Sequence, residues 1–139
     1  MKTIFADAGY WIALLHPRDE HHGKAQGLSR KLQRVRLVTT EMVLVEFLNA
    51  LANEGKALRR AAAEFVAAMR TNPNVEVVSQ TSQQFAAAFA FYRSRMDKGW
   101  GLTDCASFLV MQERRITEAL AHDEDFQQAG FRALLRESR

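Results

Sequence analysis

Short apolar runs alternate along the chain with longer segments in which apolar residues recur every three or four positions. The short runs predict strands at residues 3–6, 36–40, 75–78, 119–122 and 131–135. The longer segments predict helices at residues 9–15, 24–33, 41–53, 58–70, 82–96 and 103–115, with Thr103 as the cap of the last one. This alternation of strands and helices indicates an α/β fold with a mainly parallel sheet.

One predicted helix, at residues 82–96, carries a conspicuous apolar stripe. Phe85, Phe89, Tyr92 and Met96 recur at helical spacing and would share one face. The pattern fits either a face packed into the core or the face of a dimer. Trp100, which follows the helix, fits either a buried anchor or a side chain that stacks on a nucleic-acid base.

Composition limits the class of protein. With 139 residues, 47% of them hydrophobic and 25% charged, the chain fits one globular domain. Its one cysteine, Cys105, excludes an internal disulfide and a cysteine-rich zinc site, and we expect a cytoplasmic protein. Asp7 interrupts the apolar start, so neither a signal peptide nor a membrane span is expected. The net charge of +3 permits a polyanionic partner without establishing one.

Acidic side chains stand at the ends of predicted strands and near the starts of predicted helices. Asp7 directly follows the first strand, and Asp123 directly follows a later one. Asp104 stands in the first turn of an apolar helix, and Glu46 lies on the helix after the second strand. Because ligands of parallel α/β sheets gather at the carboxyl ends of strands and at adjacent helix N-termini, Asp7, Asp123 and Asp104 are expected at the functional edge of the sheet, whereas Glu46 has the weakest pattern of the four.

Each of these acids also has a simpler interpretation. Asp residues that end strands often form Asx-turns, and an Asp in the first turn of a helix favours the helix dipole. Glu41 and Glu46 flank the same apolar stripe on opposite sides, so periodicity leaves the choice between them open. The histidines of the loop at residues 16–23 lack helical spacing, and we interpret them as structural or exposed.

Converging carboxylates favour a metal site. Like charges a few ångströms apart would repel one another and raise one another's pKa, and a divalent cation removes that conflict. Mg²⁺ and Mn²⁺ prefer oxygen ligands of this kind. Such a site can activate a water for in-line attack on a phosphodiester and stabilise the leaving oxygen. If the carboxylates meet, the pattern is therefore compatible with metal-assisted cleavage of a phosphodiester.

Four segments resemble a known family, in order and with its typical spacing over nearly the whole chain. They are residues 4–7 (IFAD), 39–46 (TTEMVLVE), 100–105 (WGLTDC) and 122–126 (HDEDF), the last continuing to Gly130 and Phe131. The family is that of the PIN domains, and the segments look most like VapC-type toxins of bacterial toxin–antitoxin pairs. The resemblance implies a three-layer α/β/α sandwich, Mg²⁺- or Mn²⁺-dependent RNA cleavage, homodimers and inhibition by a partner antitoxin.

The resemblance also assigns roles to positions. It implies that Asp7, Glu46, Asp104 and Asp123 form the catalytic acidic quartet, with Asp7, Asp104 and Asp123 as metal ligands. Thr103 matches the hydroxyl residue that often precedes the third acid. Asp125 is either an auxiliary acid or a surface residue. One departure is that many relatives place Ser or Thr just after the first Asp, whereas this chain has Ala8 and Gly9 there.

The leading hypothesis is a single PIN-like domain over residues 1–139 that acts as an endoribonuclease, the toxin of a type II toxin–antitoxin pair. The basic residues Arg30, Lys31, Arg34 and Arg36 are expected to guide the RNA backbone. Two alternatives stay open. A non-catalytic PIN-like module would hold RNA or protein, which the departure at Ala8 and Gly9 favours, and a DNA-directed nuclease would share the same site.

Overall fold

Five parallel strands form one sheet in the order β3-β2-β1-β4-β5. The computed structural model describes residues 1–137. Its strands are β1 (Lys2–Ala6), β2 (Val35–Thr40), β3 (Val75–Val78), β4 (Glu118–Leu120) and β5 (Arg132–Ala133). Its helices are α1 (Ala8–Leu15), α2 (His22–Lys31), α3 (Glu41–Leu51), α4 (Lys56–Thr71), α5 (Ser82–Ser94), α6 (Leu102–Arg114) and α7 (Glu124–Gln128). The predicted parallel α/β/α architecture is confirmed.

Two local predictions are wrong, and one helix was missed. Helix α7 was not predicted, because five residues are too few to show a helical period. The last strand is shorter than the predicted 131–135, since the chain turns into a 3₁₀ helix at Leu134–Arg136. Thr103 is not a cap: α6 begins at Leu102 with Gly101 as its N-cap, and Thr103 lies in the first turn.

A chain of aromatic rings ties the helices on one side of the sheet to its central strand. The Trp100 ring centroid lies 5.0 Å from that of Phe108, which lies 5.0 Å from that of Phe126. Phe126 in turn lies 6.4 Å from Phe5 on β1. All four rings are buried, so this contact chain fixes α6 and α7 relative to the end of β1.

The apolar stripe of α5 does not belong to the core. Phe85, Phe89 and Tyr92 keep nearly half of their surface exposed, and Met96 is 85% exposed. Of the two interpretations of the stripe, the structure therefore excludes the core. Trp100 is 5% exposed and acts as the buried anchor at the entrance of α6. Within residues 1–137, every helix is too short or too polar to cross a membrane.

Candidate metal centre

The parallel register brings the first acidic residue beside the end of β4. Ala6 pairs with Leu120, and the backbone N–H of Asp7 donates to the carbonyl of Leu120 at 3.1 Å. Asp7 is the N-cap of α1, and its residue is 8% exposed. Its carboxyl group therefore stands at the carboxyl edge of the sheet, where the chain leaves β1 for a helix.

Two more acidic segments meet at this edge. Asp123 is the N-cap of α7, where its Oδ1 accepts the N–H of Asp125 at 3.0 Å. Asp104 stands in the first turn of α6, and its Oδ2 accepts the N–H of Gly101 at 3.0 Å. One carboxylate oxygen from each of Asp104, Asp123 and Asp125 can be chosen so that the three lie within 4.8 Å of one another. These three side chains form a compact set of oxygen donors.

The choice between the two glutamates of α3 follows from their surroundings. Glu41 is engaged elsewhere, because its Oε1 accepts the backbone N–H of Gln80 at 2.6 Å. The charge of Glu46 raises the pKa of both Asp7 and Asp104. Glu46 is therefore the residue of α3 that faces the acidic cluster.

Burial and mutual repulsion raise the pKa of three carboxyl groups at this site. Burial is the main reason that the pKa of Asp7 rises to about 7; the Ala8 backbone N–H lowers it, and the charges of Asp104, Glu46 and Asp123 raise it further. Burial likewise raises the pKa of Asp104 to about 6, against the lowering effect of the Gly101 N–H. The pKa of Asp125 is also raised, first by burial and then by Asp123.

Salt bridges within the described part of the chain, residues 1–137, do not balance the charges of this cluster. Across residues 1–137, none of the salt bridges involves Asp7, Glu46, Asp104 or Asp123. The donors that converge are all carboxylate oxygens, which suit a hard divalent cation rather than a soft one. The residues present thus fit a metal centre, and the acidic cluster can hold a divalent cation.

A buried hydroxyl that the sequence did not reveal supports the first acid. Thr39, fully buried on β2, donates from Oγ1 to the carbonyl of Ala6 at 2.9 Å. The same oxygen accepts the indole N–H of Trp11 at 3.3 Å. The residue before Asp7 is therefore held by a hydroxyl from the neighbouring strand. This contact fixes the backbone that leads into Asp7.

Steric crowding explains why a glycine occupies position 9. A Cβ atom at this position would lie 2.9 Å from Nε2 of His122, closer than side chains tolerate. The His122 ring in turn stacks on that of His21, with centroids 4.4 Å apart. The other two histidines of the loop at residues 16–23 also make contacts within the domain. His16 contacts Glu54 at 3.3 Å, and Nδ1 of His22 lies 2.7 Å from the carbonyl of Ala13.

Part of the basic stretch lies away from the acidic cluster. Arg34 precedes β2 and Arg36 stands near its start, so both lie at the sheet edge opposite to the acids. Arg36 also pairs with Glu76 at 3.4 Å. The expected guidance of RNA by these two arginines is therefore not supported by their position.

The PIN domain family model matches residues 4–132 of the chain. The chain belongs to the PIN domain family. This PIN domain is 31% identical over 128 residues to the 23S rRNA-specific endonuclease VapC20 of Mycobacterium tuberculosis, covering 92% of this chain and 95% of that protein. The resemblance drawn from the four sequence segments is thereby confirmed, as is the predicted class, a VapC-like endoribonuclease.

Solved structures agree with this assignment. The crystal structure of Mycobacterium tuberculosis VapC20, described as a sarcin-ricin loop cleaving toxin, superposes with a TM-score of 0.82 at 30% identity over 92% of this chain and 95% of that one. FitAcB from Neisseria gonorrhoeae reaches 0.63 at 14% identity over 94% of both chains. VapBC2 from Rickettsia felis, bound to a DNA fragment from its promoter, reaches 0.62 at 10% identity over 94% of this chain and 96% of that one. At these low identities, FitAcB and VapBC2 show only that this PIN domain shares their fold.

Proposed function

We propose that this PIN domain is a metal-dependent endoribonuclease, with Asp7, Glu46, Asp104 and Asp123 as its catalytic acids. The observation that supports the proposal has two parts: Asp104 and Asp123 bring carboxylate oxygens together with that of Asp125 at this edge of the sheet, and the charges of Asp104, Glu46 and Asp123 raise the pKa of the buried Asp7. Asp7 is buried and repelled by the other three, and within residues 1–137 no Lys or Arg forms a salt bridge with any of them. A divalent cation would relieve that repulsion.

The proposed cofactor is Mg²⁺ or Mn²⁺, held by Asp7, Asp104 and Asp123 with Glu46 completing the site. A divalent cation, when bound, activates water for attack on phosphorus and stabilises the negative charge that develops. The side chains of the domain must lose their protons to act as ligands, and the Gly101 N–H orients one oxygen of Asp104 for that role. Asp125, which has a carboxylate oxygen within 4.8 Å of those of Asp104 and Asp123, is proposed as an auxiliary acid.

The proposed substrate is ribosomal RNA, and the proposed partner is a cognate antitoxin. A relative that is 31% identical is named as an endonuclease specific for 23S rRNA, and the solved structure at 30% identity is described as a toxin. Both support the role of toxin in a type II toxin–antitoxin pair. Ribosomes are cytoplasmic, and a buried, unpaired Cys105 fits that compartment, so we place the protein in the cytoplasm.

A homodimer is proposed through the N-terminal half of α5. The rings of Phe85 and Phe89 lie parallel, with an interplanar angle of 3°, and both are nearly half exposed. Exposed apolar patches of this kind mark interaction surfaces. Light scattering should give the mass of two chains for the wild type, and one chain for the double variant Phe85→Ser, Phe89→Ser.

The central test is RNA cleavage by single amide variants. Asp7→Asn and Asp104→Asn should each lower the Mn²⁺-dependent cleavage rate at least about 100-fold, because each removes a ligand charge. Glu64→Gln, an exposed carboxyl-to-amide change on α4, serves as the matched control. Undiminished cleavage by folded Asp7→Asn and Asp104→Asn would refute the proposed site. Cleavage of matched DNA but not RNA would replace the substrate class, and binding of RNA without cleavage in either metal would favour the non-catalytic alternative.

A further inference from the structure

A cavity of about 290 Å³ lies between the end of α5 and the start of α6. Its lining includes Tyr92, Arg95, Lys98, Trp100 and Gly101. The volume is close to the lower limit of ligand pockets, which span about 300–1,000 Å³. Tyr92 contributes an aromatic ring that is 46% exposed. The cavity therefore offers room for one small group beside an accessible ring.

Two cationic side chains are held over a buried indole at this cavity. The guanidinium carbon of Arg95 lies 4.9 Å from the Trp100 ring centroid, and Nζ of Lys98 lies 5.9 Å from it. Trp100 is itself fixed, because its Nε1 donates to Gln128 of α7 at 3.1 Å. The positions of both cations are thus set by an anchored residue rather than by a free loop.

The two cationic side chains differ in whether a carboxylate already neutralises their charge. Arg95 makes two hydrogen bonds to Asp97, each of 3.0 Å. Within residues 1–137, Lys98 forms no salt bridge with any carboxylate. Its ammonium group is therefore the charge at this cavity that is available to an anion. Arg93, on the last turn of α5, lies over the Phe89 ring and is not part of the cavity lining.

The cavity shares a wall with the acidic cluster. Gly101 lines the cavity, and its backbone N–H is the donor that holds Oδ2 of Asp104. Trp100 links the same wall to α7, the helix that carries Asp125. A group bound in the cavity would therefore lie next to the place where the proposed function requires the cleaved phosphodiester.

The geometry points to this cavity, here named the Tyr92 pocket, as a subsite for the nucleotide adjacent to the cleaved bond. The base stacks on the Tyr92 ring, and the phosphate of that nucleotide contacts Lys98. This inference rests on the proposed ribonuclease function and adds where the RNA is held. Aromatic rings beside basic side chains are the recurring means of binding single-stranded nucleic acid. Among the described residues that line the pocket, Arg95 and Lys98 are basic and none is acidic, which favours RNA over a protein partner at this surface.

The test separates RNA binding from chemistry. Affinity for a fluorescent RNA hairpin that contains the sarcin–ricin loop sequence would be measured in EDTA, and steady-state cleavage of the same hairpin in Mn²⁺. Tyr92→Ala should raise Kd and KM about tenfold with kcat within about twofold, since a lost base–aromatic stack costs this much. Tyr92→Phe keeps the ring and should bind like the wild type. Lys98→Ala should weaken binding about tenfold at low salt and lower the salt-dependence slope by about one.

Matched controls come from the same protein. Lys56→Ala removes an exposed lysine at the start of α4 and should not change Kd or KM more than about twofold. Phe85→Ala removes an aromatic ring of similar exposure in the proposed dimer face and measures how far loss of the dimer alone changes Kd and KM. Light scattering of each variant reports whether the change has instead broken a contact between two copies of the chain.

The outcomes distinguish this inference from the proposed function. If wild-type protein cleaves the hairpin while Tyr92→Ala and Lys98→Ala keep wild-type Kd and KM, the Tyr92 pocket is not a subsite and the ribonuclease function stands. If Tyr92→Ala lowers the molecular mass and affects binding no more than Phe85→Ala does, the surface is a protein interface and the inference is overturned. If wild-type protein neither binds nor cuts RNA, the proposed function itself fails.

Discussion

At the scale of single residues, the buried carboxyl group of Asp7 links the stability of the metal-free protein to pH. Its pKa of about 7 in the folded state exceeds the ordinary value of 3.8, so the folded state holds a proton that the unfolded state releases. The stabilising contribution of this group is thus complete below about pH 4 and declines as pH rises toward 7. Asp104, with a pKa of about 6, acts in the same direction.

Replacing Asp7 should remove much of this pH dependence. Between pH 5 and pH 8 in EDTA, the free energy of unfolding of Asp7→Asn should fall less than that of the wild type, by about 3 kcal/mol. The reason is that the amide has no proton to release. Urea unfolding at both pH values measures the difference, with Glu64→Gln as the control that should follow the wild type. Parallel pH profiles of Asp7→Asn and wild type would show that Asp7 is not a strained buried acid.

A second test at the scale of single residues is Gly9→Ala, for which the sign of the change in the free energy of unfolding is decisive. Gly-to-Ala changes inside helices normally stabilise by about 0.5–1 kcal/mol. At Gly9 the new Cβ atom would press on the His122 ring, so Gly9→Ala should instead destabilise by about 1–2 kcal/mol. Gly27→Ala on α2, where nothing lies within 4 Å of the added atom, is the matched control and should stabilise.

A double-variant cycle identifies the cause. His122→Ala removes the ring that blocks the Cβ atom, so Gly9→Ala should become neutral or stabilising in that background. Thermal unfolding in EDTA measures all four proteins without interference from metal. An equal penalty for Gly9→Ala with and without His122 would mean that backbone conformation, not the imidazole, requires glycine at this position.

At the scale of elements, β1 and β2 are joined by a hydroxyl as well as by their ladder. Thr39→Val keeps the shape of the side chain but leaves the Ala6 carbonyl and the Trp11 indole N–H without their buried partner. We expect a loss of about 1–3 kcal/mol in the free energy of unfolding. Thr71→Val, whose hydroxyl is exposed at the end of α4, should stay within about 0.5 kcal/mol of the wild type. Equal effects of the two changes would contradict the bridging role of Thr39.

The elements also show what sequence patterns can and cannot predict. Long periodic segments such as α5 and α6 were found because their apolar spacing repeats several times, and Asp7 was found because it directly follows a buried strand. The five residues of α7 complete little more than one turn and give no periodic signal. The apolar stripe of α5 was visible in the sequence, but spacing alone does not say whether a neighbouring element covers it. In the structure its side chains keep nearly half or more of their surface exposed.

Sequence patterns predicted some residues of the site and left others undecided or unseen. Strand order and register decide which loops meet, and a sequence carries that information only through family resemblance. The acid pattern left Glu41 and Glu46 equivalent until the Glu41 contact with Gln80 separated them. The support from Thr39 was hidden because a strand threonine gives no sign of the backbone carbonyl that its hydroxyl will reach. Thr103 was expected as the N-cap of α6, yet Gly101, two residues earlier, takes that position.

At the scale of the whole molecule, the proposed metal ligands join segments that are far apart in sequence. Asp7 follows β1, Asp104 lies on α6 and Asp123 begins α7, so a cation bound by all three would bridge the sheet edge and two helices. An unfolded chain does not hold these groups together, and a ligand that binds only the folded state stabilises it by an amount that grows with the logarithm of its concentration over its Kd. At about 100 times Kd, the gain is about 2.7 kcal/mol.

Mn²⁺ should therefore raise the urea midpoint of the whole domain without changing the slope of the transition. The midpoint should rise with the logarithm of Mn²⁺ concentration at pH 8 and respond much less at pH 5, because Asp7 and Asp104 must lose their protons before they bind the cation. Asp104→Asn should abolish most of the shift, whereas Glu64→Gln should keep it. An Mn²⁺-dependent shift of equal size in Asp104→Asn would place the cation elsewhere on the molecule, and a shift larger at pH 5 than at pH 8 would contradict binding by these carboxyl groups.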